Sequence, residues 1–116
     1  MENRVVITGM GIYSCIGTSL EEVRESLYQG KSGIVLDPDR KEFGFRSGLT
    51  GVVPKNKLKN LLNRRQRISM GEESEYAYLA TMDALKQANL DEEFLNSHEV
   101  GILYGNDSVS QAVVES

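Results

Sequence analysis

The chain holds one cysteine, Cys15, and one histidine, His98. As a nucleophile–base pair they would need hydrogen-bond reach and a third group to orient the base. Spacing identifies no such group. A lone loop cysteine is more often a small buried hydrophobe, and His98, within Asn96-Ser97-His98-Glu99, reads as a solvated loop residue. One Cys and one His also exclude a disulfide framework and the usual Cys/His zinc sites. Gly9-Met10-Gly11 follows an apolar run and invites a dinucleotide-fingerprint reading, with Asp37 or Asp39 as the ribose acid. The third glycine should fall at position 14, which is Ser14, and the helix should open at once rather than near residue 19. The plainer reading is that these glycines let a strand turn tightly. Lys55, Lys57, Lys59, Arg64, Arg65 and Arg67 form a basic run, followed directly by Glu72, Glu73 and Glu75. That contrast suits a docking face for an acidic partner, or a solvated surface offset by the glutamates; composition alone favours the second. Asn106-Asp107-Ser108 follows an expected central strand. Ligands collect at such strand ends in open α/β sheets, but Asp107 or Ser108 would equally cap a following helix.

The elements that must position these residues follow from spacing. Val5, Val6 and Ile7 form a continuous apolar run, so Arg4–Thr8 is predicted as a strand covered on both faces. Leu20, Val23 and Leu27 recur at helical spacing. Thr18 with Glu21, or Ser19 with Glu22, offers a capping box, and Gly30 closes the segment, predicting a helix over 19–29. Asp37-Pro38-Asp39 signals a turn. Residues 46–53 read as a short strand ended by Pro54. From Gln66 to Asn89, Met70, Ser74, Ala77, Thr81, Ala84 and Ala88 make a small-residue stripe beside a bulkier one of Tyr78, Met82 and Leu85. This predicts one long helix packed in an interior, with Asn89 in a left-handed C-terminal position. Val100, Ile102, Leu103 and Tyr104 predict a second buried strand over 99–105, and a further helix is expected from Val109. Short buried strands alternating with helices indicate an α/β fold.

Composition narrows the class. The length of 116 residues suits one domain. An apolar fraction of 40% is too high for a disordered chain. No apolar run approaches the ~20 residues of a membrane helix. With 13 basic against 17 acidic residues, the net charge of −4 argues against a nucleic-acid binder. The chain enters a strand-like run at once, so no export signal is expected and the expected compartment is the cytosol.

Four segments together resemble one family. Arg4-Val-Val-Ile-Thr-Gly-Met-Gly-Ile-Tyr-Ser-Cys-Ile-Gly17 resembles the opening of β-ketoacyl-[acyl carrier protein] synthases of types I and II. Gly30-Lys-Ser-Gly-Ile34 is similar to the family's Gly-x-Ser-Gly-Ile at the end of its first helix. Arg64-Arg65 to Met70 resembles the basic segment before its long helix, and Val100-Gly-Ile-Leu-Tyr-Gly105 its strand leading into a small-residue turn. Residues 46–51, Arg-Ser-Gly-Leu-Thr-Gly, look somewhat nearer to type I.

The resemblance implies a thiolase-like fold: two βαβαβαββ halves, each with a five-stranded mixed sheet, stacked in five layers. It implies fatty acyl elongation by decarboxylative Claisen condensation with malonyl carrier protein. A Cys carries the acyl chain as a thioester, and two His assist decarboxylation and stabilise the oxyanion. It further implies a homodimer that needs no metal or redox cofactor, with acyl carrier protein and acyl and malonyl thioesters as partners. The family's nucleophilic Cys and catalytic His lie beyond the matched region. Neither Cys15 nor His98 matches them, so residues 1–116 are expected to be an N-terminal part without the catalytic set, inactive alone. Arg64 and Arg65 match the carrier-docking segment. Arg67 stands one position off the third basic residue, where this chain has Ile68. Asn106, Asp107 and Ser108 fall at the turn that lines the family's acyl channel, departing from its glycine-rich pattern. The alternatives are a non-catalytic carrier-binding module and, more remotely, a Rossmann-type dinucleotide domain.

Overall fold

The computed structural model describes residues 2–54 and 60–107. The chain divides into two units, one of Ile12–Lys55 and one of Met1–Gly11 with Asn56–Ser116.

In the first unit, helix α1 spans Leu20–Tyr28. Ser19 caps it by accepting from the Glu22 amide, and Glu22 reaches back to the Thr18 amide at 2.7 Å and the Thr18 hydroxyl at 3.1 Å. The two predicted capping registers are thus merged: Ser19 is the cap, and the returning carboxylate serves the residue before it. At the other end Gly30 adopts φ +64°, and the Gly30 and Lys31 amides close on the Leu27 and Ser26 carbonyls. This is the paired-bond helix stop that a left-handed residue permits. Val23 and Ser26 are the buried face of α1, with the Ser26 hydroxyl donating to the Ile16 carbonyl at 2.6 Å.

Strand β1 (Ile34–Leu36) pairs antiparallel with β2 (Leu49–Gly51), placing Val35 opposite Thr50. The predicted strand over 46–53 is therefore present, shortened, while β1 carried no clear sequence pattern. Between them the expected turn at Asp37-Pro38-Asp39 is the start of helix α2 (Pro38–Glu42). Asp37 caps it through the Asp39 amide, and Pro38 sits where the missing N–H costs nothing.

In the second unit, the long helix predicted over 66–89 is broken in two. Helix α3 (Arg64–Arg67) is separated by a turn from α4 (Glu72–Gln87), whose N-cap is Gly71. Glu72, Glu73 and Glu75 fall in the first turn of α4, where the dipole favours them, so the charge switch marks a helix start. Asn89 is left-handed at φ 56°, as predicted, and the Leu90 amide bonds the Leu85 carbonyl. Helix α5 (Glu92–Ser97), capped by Asp91, was not foreseen; it is too short to show an apolar period.

Two predictions fail here. Residues 4–8 and 99–105 run without ladder bonds among the described residues, and Val5, Ile7, Ile102 and Leu103 are exposed. A buried-type strand is defined by neighbours on both sides, and continuous apolar sequence supplies only the demand for them. Nor is α4 an interior helix, since none of its residues is buried. Its small-residue face does take a close backbone: a Cβ at Gly9 would strike the Ala84 carbonyl, and one at Gly11 the Ala80 carbonyl. The Met10 amide donates to Gln87 Oε1 at 2.7 Å along the same contact. The fold observed is α/β in content, with helices and a two-stranded sheet. The predicted helix from Val109, with Ser108 and Lys55, Lys57 and Lys59, lies outside the described residues.

Candidate functional site

The basic turn is built by reciprocal capping. Asn63 Oδ1 accepts from the Gln66 amide at 2.9 Å, and Gln66 Oε1 accepts from the Asn63 amide at 3.0 Å. A four-residue helix is far too short to persist on backbone bonds alone, so these side chains hold it. Arg64 and Arg65 are exposed, and their guanidinium groups make no hydrogen bond or ion pair among the described residues. Arg67 is different: it is half-buried and its Nε donates to the Leu62 carbonyl at 3.2 Å. Exposed Ile68 follows.

On the same unit, a groove of about 700 Å³ runs along α4. Ala77, Tyr78, Thr81, Met82 and Leu85 line it from the helix, and Ile102, Tyr104 and Asn106 from the segment that follows. The lining is mostly apolar, and the Tyr104 hydroxyl donates to the Ala77 carbonyl at 3.3 Å, tying that segment to the helix. Asn106 therefore sits on the groove, while Asp107 is exposed beyond it. The bulky stripe of Tyr78, Met82 and Leu85, which spacing sets beside the small-residue stripe, forms a wall of this groove.

Cys15 and His98 belong to different units. Cys15 is half-buried against Gly33 and Gly51, where a Cβ would crowd its Sγ. It borders a second cavity of about 480 Å³ together with Glu22, Glu25 and Lys31. His98 ends α5, stacked on Phe94 at 4.0 Å, with Nδ1 within 3.0 Å of the Phe94 carbonyl and the Ser97 hydroxyl. Its contacts are those of a helix C-terminus. Gly9 and Gly11 pack against α4, and along the chain the next helix begins only at Leu20, not directly after the glycines as a pyrophosphate-binding fingerprint requires.

The described residues thus combine helices and a two-stranded sheet with a capped basic turn and a mostly apolar groove. Residues 2–115 match the model of the beta-ketoacyl synthase N-terminal domain, and the chain belongs to that family. It is 38% identical over 104 residues to 3-oxoacyl-[acyl-carrier-protein] synthase 1 of Buchnera aphidicola subsp. Acyrthosiphon pisum, covering 89% of this chain and 25% of that protein. The figures are the same for synthase 1 of Escherichia coli K12. To synthase 2 of Synechocystis it is 29% identical, covering 98% of this chain and 27% of the other. The chain spans about a quarter of the length of these relatives.

Proposed function

We propose that this chain is the N-terminal part of a 3-oxoacyl-[acyl carrier protein] synthase domain of thiolase-like fold. In that reading it contributes carrier-protein docking and part of the acyl channel to decarboxylative Claisen condensation, and works as a homodimer in the cytosol. The observation that carries it is the family match over residues 2–115, with Arg64 and Arg65 exposed on a capped turn and their side chains without partners among the described residues. Acyl carrier proteins are acidic, and two free guanidinium groups complement carboxylates well. For the channel, support comes from the apolar groove that reaches Asn106. Asp107 and Ser108 are proposed with it as residues that set acyl preference. No helix among the described residues is long and apolar enough to cross a membrane.

The test is titration of the purified chain with acidic acyl carrier protein. Binding that weakens with salt, and falls roughly tenfold or more in Arg64→Glu plus Arg65→Glu, is expected. Absence of binding at low salt would overturn the docking role. The chain by itself is expected to yield no 3-oxoacyl product from acyl and malonyl carrier protein, since neither Cys15 nor His98 matches a catalytic residue. Binding without product from any longer form would favour the non-catalytic module instead.

A further inference from the structure

We propose that Arg67 is a positioning residue and not a docking charge: it braces the turn that presents Arg64 and Arg65. The proposal rests on the carrier-docking reading above. Arg64, Arg65 and Arg67 are alike in type, and their surroundings separate them. Arg67 is drawn inward, with Nε on the carbonyl of Leu62, the residue before the N-cap. The Asn63–Gln66 exchange fixes the amide side of the same entry. Together they hold the chain on both sides of Asn63, and the Arg64–Arg65 pair follows immediately.

Arg64 and Ile68 are four residues apart and share one face of this turn. Leu61 and Ile68, which bracket the turn in sequence, are 61% and 76% exposed, while Arg67 is half-buried. The partner that fits this face is an acidic segment with an apolar side chain beside its carboxylates. Its salt sensitivity comes from two charges, and the third basic residue acts only through the geometry of the other two.

The experiment titrates the chain with acidic acyl carrier protein across a series of sodium chloride concentrations. Arg64→Gln and Arg65→Gln are each expected to weaken binding and flatten its salt dependence. Arg67→Gln is expected to weaken binding roughly fivefold while the salt dependence stays that of the unsubstituted chain. Its melting curve stays unchanged, and amide shifts are confined to the turn around residues 61–68. Ile68→Arg adds a charge to the partner-facing side and steepens the salt dependence. The proposal is overturned if Arg67→Gln flattens the salt dependence as Arg64→Gln does, if it leaves affinity unchanged, or if Ile68→Arg adds no steepness. Unaltered binding in the Arg64→Gln plus Arg65→Gln chain would instead remove the docking reading, and this proposal with it.

Discussion

Glu22 shows how far one side chain is determined by its immediate neighbours. Its carboxylate accepts from the Thr18 amide and hydroxyl, and this holds it below the ordinary glutamate value of 4.5, with burial opposing and Lys31 adding a lesser attraction. A depressed folded-state value gives stability that is present above the unfolded value and lost as pH falls through the folded one. The N-terminus of α1 is therefore expected to weaken on acidification below about 4.5. NMR titration of the Glu22 carboxyl carbon should place its midpoint below that value, and Glu22→Gln should remove this part of the acid response. Tyr13 moves the opposite way: partial burial, then the Glu22 charge, raises it above 10.0. The neutral phenol donates to the Pro54 carbonyl, so its contribution is present at neutral pH and lost at strongly alkaline pH. The cap of α1 was legible in sequence because it closes within five consecutive residues, Thr18 to Glu22. The sequence set Arg67 one position off the docking pattern, but that its guanidinium turns onto the Leu62 carbonyl was not legible, because that depends on which carbonyl it meets.

At the level of elements, helix ends were the most readable feature. Gly30 and Asn89 were both assigned left-handed stops, and both adopt positive φ. A Cβ at Gly30 meets open space, so Gly30→Ala isolates the backbone cost and is expected to destabilise by about 1 kcal/mol in denaturant melts followed by circular dichroism. Ser19→Ala should cost a similar amount, about 1 kcal/mol, through the lost bond to the Glu22 amide. Gly11→Ala is a different experiment: the added methyl meets the Ala80 backbone, and a loss of about 1–3 kcal/mol is expected from overpacking. The break between α3 and α4 was missed because apolar and small residues kept helical spacing straight across Ile68, Ser69 and Met70. Spacing records which side chains would share a face; it does not record that Gly71 and three following glutamates make a better start than a continuation.

Over the whole molecule, the described residues bury little. Val23 is the one buried hydrophobic side chain among them, while Val5 and Leu103 are 93% and 98% exposed. Contiguous apolar exposure of this kind seeks a cover. The chain in dilute solution is expected to bind a hydrophobic dye and to sediment with a concentration-dependent mass. Leu103→Lys should lower both without loss of helical circular dichroism. A monomer of fixed mass with no dye binding would contradict this.

The sequence alone determined what is local: the cap of α1, the left-handed stops, and the motif order that marks the family. Only the tertiary structure decided that 4–8 and 99–105 run without ladders, that α4 carries a groove, and that one arginine of three turns inward. Caps and turns close within a few residues, so their energies are written in adjacent side chains. Ladders, grooves and the direction of a guanidinium need groups distant along the chain, and spacing cannot specify which of them arrive.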